Sequence, residues 1–509
     1  MKLLKALYRT LPVAICSLAV MQAGAEKLVI LHTNDTHSII DPAYDTDLGG
    51  VVRRKAVIDS VRRADKNVML IDAGDVVQGS LYFTLFEGEV EQKIMNALGY
   101  DIQILGNHEF DNGMEGLEKY LRGLNADLLS ANYNFRNTNL KDLFIPVEIR
   151  EYDGRRIGFI GINVNPEGLI DKNKMGATEY TDAIEAANLC ADYLKKIEHC
   201  DMVIVVSHIG YDDQKFGSDV DMARASRNID VIIGGHSHTT VNPASSKSPA
   251  WRIPDAAGDT VLVTQTGRYG ANIGEITIDL DNLRTDYKLI PVNSRLDSSA
   301  DPELVELIKP YKQPVDSIRS IRIGTATGDF PHYPQLTNWM ADFVKGEAAH
   351  TAGIPVDLAL VNRGGVRRPV MKGAITKGEV MEAFPFDNYM VILEMKGDRL
   401  RATFDSIAAS KTPLTGVSSN VRVTIDTASN RAASVTVGGK PIDPDKTYRV
   451  ATIDYLARGN DGFGPLREGK LLYTSKKLLY NDMIDAMESG WMRGRKQKPD
   501  AKERMTLAK

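Results

Sequence analysis

Five short segments of this 509-residue chain concentrate residue types that bind divalent cations: His32-Thr33-Asn34-Asp35-Thr36-His37, Asp72-Ala73-Gly74-Asp75, Gly106-Asn107-His108-Glu109-Phe110-Asp111, Ser207-His208 and Gly234-Gly235-His236-Ser237-His238. Carboxylate, imidazole and amide-oxygen donors without a thiolate suit hard-to-borderline divalent ions. Asp35, His37, Asp75, Asn107, His208, His236 and His238 make seven donors. With Asp75 shared, they suffice for two ions, Zn, Mn, Co or Mg, roughly 3.5–4 Å apart. The expected sets are Asp35, His37, Asp75 and His238 for one ion, and Asp75, Asn107, His208 and His236 for the other. His108 follows Asn107 and precedes Asp111 by three residues, a spacing that lets the carboxylate orient the imidazole. His32, His199, His332 and His350 lack such surroundings and are expected to be structural. One His or Asp after a strand is usually a turn residue, and only its recurrence at five strand ends points to a metal centre.

The elements that must hold these groups are legible as short apolar runs: Leu28 to Leu31, Val68 to Ile71, Ile102 to Leu105, Ile157 to Ile162, Met202 to Val206, Val231 to Ile233 and Val261 to Val263. Alternating with helical patterns from Lys27 to about Val292, they predict an α/β domain with buried strands. Each cluster then falls at the carboxyl end of a strand, the edge where α/β sheets place ligands. A helix is expected from Val51 to Val61, with Val52, Ala56, Val57 and Val61 buried and its charged face solvated. Residues 294–320 read as a linker in which Asp301-Pro302 opens a short helix and Pro310 and Pro314 close it. A second α/β region follows, with strand-like runs at Val356 to Val361, Met390 to Glu394, Val421 to Ile425 and Ala433 to Val437. The basic tail after Trp491 is expected to be frayed and solvated.

Composition is that of an ordinary globular protein, 43% apolar and 25% charged, with no repeat or low-complexity segment. Lys+Arg 62 against Asp+Glu 67 gives a net charge of −5, which excludes a wholesale footprint for nucleic acid polymers or anionic lipid. Residues 1–25 carry Lys2, Lys5 and Arg9, then an apolar run from Leu11 to Met21 and Ala23-Gly24-Ala25 before Glu26. That pattern is a secretory signal peptide, and no later apolar run is long enough to span a bilayer. The expected boundaries are 1–25 signal peptide, 26–293 first domain, 294–320 linker and 321–509 second domain. Export to the periplasm is expected ahead of release outside the cell, since neither a wall-sorting tail nor a C-terminal anchor is seen. Cys190 and Cys200 lie ten residues apart along the segment in which Asn188 to His199 is expected to be one helix, with Leu189, Tyr193, Leu194 and Ile197 on its apolar face. Ten helical residues separate the thiols by about 15 Å, so two buried free cysteines are expected.

Asp35-x-His37, Gly74-Asp75, Gly106-Asn107-His108-Glu109 and Gly235-His236-x-His238 resemble the calcineurin-like metallophosphoesterase signature. More narrowly, His32 to His37, Asp72 to Asp75 and Gly106 to Asp111 resemble the secreted 5'-nucleotidase / UDP-sugar hydrolase family. The resemblance implies a four-layer αββα sandwich followed by an α/β substrate-binding domain able to rotate about the linker. It implies metal-dependent hydrolysis of nucleoside 5'-monophosphates, with UDP-sugars or 2',3'-cyclic nucleotides as further substrates. His108 would stabilise the phosphoryl oxygens or protonate the leaving group, and Asp111 would hold it. Asn362-Arg363-Gly364-Gly365-Val366-Arg367 resembles the family's Asn-Gly-Gly-Gly-Ile-Arg segment, which implies that Arg367 contacts phosphate and Asn362 the nucleoside. By the same resemblance Phe386 and Tyr455 would stack on the base and Asp461 accept from ribose. Two departures stand out: Arg363 replaces a glycine, and Phe330 to Asn338 lacks the family's further phosphate-binding arginine, for which Arg363 could compensate. A broad-specificity phosphomonoesterase and an inactive exported nucleotide-binding protein are the alternatives.

Overall fold

The computed structural model describes residues 26–43, 46–212, 215–410 and 413–508, so the expected signal peptide lies outside the described residues. The first region is built on two six-stranded sheets. In one, Lys27–Thr33, Asn67–Asp72, Ile102–Gln103 and Asp127–Leu128 run parallel, and Asn272–Asp279 then Thr285–Pro291 extend it antiparallel. In the other, Arg155–Ile162, Met202–Ser207, Val231–Ile233 and Thr260–Thr264 are parallel, with Val147–Tyr152 and Arg252–Pro254 antiparallel at the edges.

Side chains alternate faces along a strand. Leu28 and Ile30 accordingly share a core with Ile157, Phe159, Val203 and Val205 of the second sheet. Val29 and Leu31 instead pack with the helices Val51–Ala64, Glu89–Leu98 and Pro302–Ser320. On the second sheet, Gly158 approaches Leu194 of the helix Ala183–Lys196, while Gly161, on the opposite face, approaches Leu129. Helix, sheet, sheet and helix thus form the expected four-layer sandwich.

The second region holds a five-stranded sheet ordered Gly416–Val417, Leu358–Val361, Thr447–Ile453, Tyr389–Lys396 and Lys470–Leu478. A four-stranded and a three-stranded sheet flank it, and one core containing Phe330, Phe343, Phe384 and Phe404 joins them. Among the described residues no helix is long and apolar enough to cross a membrane.

Several local expectations are overturned. The helix Ala183–Lys196 buries Ala183, Ala187, Ala191 and Leu194, leaving Leu189 72% and Ile197 65% exposed. The small alanines let the helix lie close to the sheet, with Leu194 as the one large aliphatic it buries there, while Leu189 and Tyr193 face outward. Cys200 lies past the helix end; both thiols are free, with only Cys200 fully buried. In Val51–Ala64 the charged face is not simply solvated, since Arg53 and Arg54 are buried and Arg53 Nη2 donates to Asp297 at 3.0 Å. The helix Pro302–Ser320 runs through Pro310 and Pro314 instead of closing there. Both prolines are exposed, so the carbonyls that lose a partner face water, while Leu304, Ile308 and Val315 anchor the opposite side.

The tail is part of the fold. Lys496–Gln497 pairs with Arg322–Ala326, and Met505–Ala508 pairs with Val421–Asp426. Arg504, 3% exposed, donates to Asp342 and Asp500. Burying Met505 alone contributes roughly 1.5–3 kcal/mol. Deleting residues 496–509 is therefore expected to lower the midpoint of thermal unfolding by several degrees. An unchanged midpoint would mean that the tail only rests on the surface.

Candidate metal centre

The clusters are set by the ends of five parallel strands: Lys27–Thr33, Asn67–Asp72 and Ile102–Gln103 in the first sheet, Met202–Ser207 and Val231–Ile233 in the second. Beyond those ends the chain turns sharply. Asp35, His37, Asp75, His236 and His238 all have φ between 49° and 75°. The left-handed region costs a non-glycine residue about 1 kcal/mol or more, and such strain collects at functional sites. Backbone bonds hold it: Asp35 N donates to Gly74 O at 2.9 Å, His37 N to Asp75 O at 3.0 Å and Tyr269 N to Asp35 O at 2.7 Å.

The side chains converge. Asp35, His37 and His238 offer donor atoms within 4.8 Å of one another, as do Asp75, His208 and His236. A third grouping, His37, Asp75 and His108, joins the two. Asp75 Oδ2 lies 3.2 Å from His208 Nε2 and 3.9 Å from His37 Nε2, while Asp35 Oδ1 lies 3.2 Å from His238 Nε2. Asn107 Oδ1 is 3.0 Å from His236 Nδ1. All seven expected donors therefore meet in one cluster. Asp35 Oδ1 and His208 Nε2 are buried without a hydrogen-bond partner, the condition a bound cation would relieve. Mixed carboxylate, imidazole and amide donors fit divalent metal ions.

Charge coupling is strong. Burial would raise the Asp35 carboxyl, but the imidazoles of His238 and His208 outweigh it and hold it at about 2. Asp75 is likewise held well below the carboxylate range against its burial, by His208 and His108. Burial lowers His236 to about 4, whereas the carboxylates of Asp75 and Asp35 overcome burial at His208 and raise it to about 10.

Two supporting residues lie inside the motifs but had no assigned role. Glu109 accepts from the backbone N–H groups of Asp75, Val76 and Gly106, at 3.1, 2.8 and 2.6 Å. One carboxylate thus ties two of the metal-bearing turns together, and burial followed by the charge of Asp75 raises it to about 7. Asn34 Nδ2 donates to Asp35 Oδ2 at 2.6 Å and Asn34 Oδ1 accepts from Thr266 N at 2.9 Å. The Gly-Asn-His-Glu spacing carries the signal for Glu109; nothing local marks Asn34.

His108 sits against the cluster, its backbone N–H donating to Asp75 Oδ1 at 2.9 Å and its Nδ1 lying 2.8 Å from Asp111 Oδ2. Arg367 reaches across from the second domain, its Nη2 2.6 Å from His108 Nε2. Its guanidinium also lies over Phe386, 5.1 Å from the ring centroid, and that ring is 5.8 Å from His108. Behind them opens a cavity of about 990 Å³, lined by His236 and His238 on one side and Asn362, Arg363, Arg367 and Asp461 on the other. Asn362 Nδ2 donates to Asp461 Oδ2 at 2.6 Å and Tyr455 Oη to Asp461 Oδ1 at 3.0 Å. Asp461 N also donates to Gly168 O at 3.3 Å, tying the two domains together.

Phe386 and Tyr455 do not line this cavity. His332, expected to be structural, does line it, and its Nε2 donates to the carbonyl of Arg367. Arg268 and Tyr269, which the sequence reading missed, line it too; a basic and an aromatic residue after the strand Thr260–Thr264 carry no distinctive spacing. His32 is fully buried and stacked on Tyr287 at 5.9 Å, with burial lowering it to about 3, as a structural histidine would be.

Fold and cluster together define a calcineurin-like phosphoesterase: the family model of that name matches residues 28–240, and that of the 5'-nucleotidase C-terminal domain matches residues 322–468. The chain belongs to the family of 5'-nucleotidases and UshA. It is 30% identical to Protein UshA of Yersinia enterocolitica, with 86% of each chain covered, and 28% identical to 5'-nucleotidase of Homo sapiens, over 89% of this chain and 87% of that one. Among solved structures, the 5'-nucleotidase precursor from Thermus thermophilus superposes with a TM-score of 0.83 at 29% identity, covering 94% of this chain and 99% of that one.

Proposed function

We propose that the chain is an exported enzyme that hydrolyses nucleoside 5'-monophosphates to nucleoside and phosphate at a pair of divalent ions. The observation that carries this reading is the convergence of seven donors in one cluster, with His108 bonded to Asp75 beside it and Arg367 reaching His108 from the second domain. Asp35, His37, Asp75 and His238 would hold one ion, and Asp75, Asn107, His208 and His236 the other. When bound, such a pair supplies hydroxide at neutral pH and neutralises charge on the phosphoryl oxygens.

The rest is the work of the chain's own residues. Arg367 can only donate, so in its contact with His108 the Nε2 atom accepts and the proton sits on Nδ1, toward Asp111. His108 gains an Nε2 proton for the leaving alkoxide only when the guanidinium turns from it to the phosphoryl oxygens. Substrate binding and readiness of the acid are thereby linked. Burial opposes a second proton on His108, but the carboxylates of Asp111 and Asp75 outweigh it and raise the His108 pKa. Asn362 and Asp461 form a hydrogen-bonded pair at the cavity wall suited to nucleoside hydroxyls, with Tyr455 bonded to Asp461 from behind the lining.

A broad phosphomonoesterase is the second reading, favoured by the position of Phe386 and Tyr455 outside the cavity lining. Phe386→Ala separates the two. If this ring stacks on a base, KM for 5'-AMP is expected to rise about tenfold while KM for p-nitrophenyl phosphate changes little, since base–aromatic stacking contributes roughly 1–3 kcal/mol. Equal effects on both esters would favour the broad reading.

A further inference from the structure

Three guanidinium groups converge on the interdomain cavity, Arg268 from the first domain and Arg363 and Arg367 from the second. Each lies over an aromatic ring: Arg268 at 4.6 Å from the centroid of Tyr269, Arg363 at 5.4 Å from Tyr333 and Arg367 at 5.1 Å from Phe386. Among the described residues none of the three is paired with a carboxylate. The carboxylates of the same lining are engaged elsewhere, Glu167 with Lys215 and Asp461 with Asn362 and Tyr455, so three guanidinium groups gathered round one cavity repel one another and favour an anion there. Stacking fixes the plane of a guanidinium and leaves its N–H fork free.

Arg268 is the one supplied by the domain that bears the metal cluster. Its Nη1 lies 3.4 Å from His238 Nδ1, on the imidazole whose Nε2 is 3.2 Å from Asp35 Oδ1. An imidazole that gives its Nε2 lone pair to a cation carries its proton on Nδ1 and accepts nothing there. The Arg268 fork is then available to an anion held beside the cluster.

We propose that Arg268 contacts the phosphoryl group being transferred, as a further catalytic residue held in plane by Tyr269. The proposal rests on the hydrolase reading above. In that reaction a water oxygen bonds to phosphorus, the ester P–O bond breaks and the leaving alkoxide takes a proton. Arg268 forms no covalent bond and keeps its own proton, donating N–H groups to oxygens whose charge grows in the transition state. Because it would act on the phosphoryl oxygens alone, its effect is expected to be independent of what the ester carries beyond phosphorus. Asn362 and Asp461, on the second domain, differ in that respect.

The test compares wild type, Arg268→Ala and Arg268→Lys, all metal-loaded, on 5'-AMP and p-nitrophenyl phosphate. Inorganic phosphate binding is read by calorimetry and bound metal by mass spectrometry. Arg268→Ala is expected to lower kcat/KM by roughly tenfold or more, by similar factors on both esters. Phosphate binding weakens in step, Lys restores part of the loss because it keeps charge without the fork, and metal content is unchanged. Tyr269→Leu gives a smaller loss of the same kind. Unchanged kcat/KM, a loss confined to the nucleotide, or a loss that excess metal restores would overturn the proposal. A wild type inactive on both esters would count against the hydrolase reading, while the phosphate titration still decides for or against Arg268.

Discussion

Asp75→Asn is expected to reduce turnover of every phosphoester by ~10³-fold or more while leaving the fold intact. Its Oδ2 lies 3.2 Å from His208 Nε2 and 3.9 Å from His37 Nε2, and its Oδ1 accepts the His108 N–H at 2.9 Å. Asparagine keeps the shape and one acceptor, but loses the negative charge that a shared ligand must bring to two cations. Its backbone, at φ 56°, is in a region that asparagine enters readily, so stability should be spared. Phosphate release and circular dichroism on the same sample check both halves. Near-wild-type turnover would mean that Asp75 bridges nothing.

Gly106→Ala is expected to cost about 10²-fold in turnover and to reduce metal content, although glycine has no donor to lose. A Cβ at position 106 would stand 2.2 Å from Asp75 Oδ1 and 2.6 Å from His208 Nε2, so both donors must move. The backbone N–H of Gly106 also anchors Glu109 at 2.6 Å, and displacing it loosens the turns that carry Asp75. Metal content by mass spectrometry beside kcat reads the effect. Full activity with full metal would mean that this close approach is absent from the working enzyme.

What could be seen beforehand depended on how local the signal is. Buried parallel strands read as unbroken apolar runs, so Leu28 to Leu31 and Met202 to Val206 fall within observed strands, and the donors beyond them are visible at once. Ile102 to Leu105 yields only the short strand Ile102–Gln103, because its last residues already turn toward Asn107. Periodicity placed Leu194 correctly in the helix Ala183–Lys196 but misjudged Leu189 and Tyr193, because close packing on a sheet gives most of the buried side to alanine. Charge counting misjudged the tail, whose Arg504 is buried by partners such as Asp342, 162 residues away. Arg268 and His332 stayed hidden for the same reason: their roles depend on a cavity between domains, which no run of residues encodes.

In the proposed function, a binuclear centre releases phosphate from nucleoside 5'-monophosphates. Its most direct test strips residues 26–509 of metal, reloads them with Mn, Zn, Co or Mg, and follows bound metal per chain alongside phosphate release from 5'-AMP. The stripped protein is expected to release none, and activity then to rise to a plateau as occupancy reaches two ions per chain, with no such rise in Asp75→Asn. Activity in the stripped protein, or full activity with a single ion bound, would contradict it.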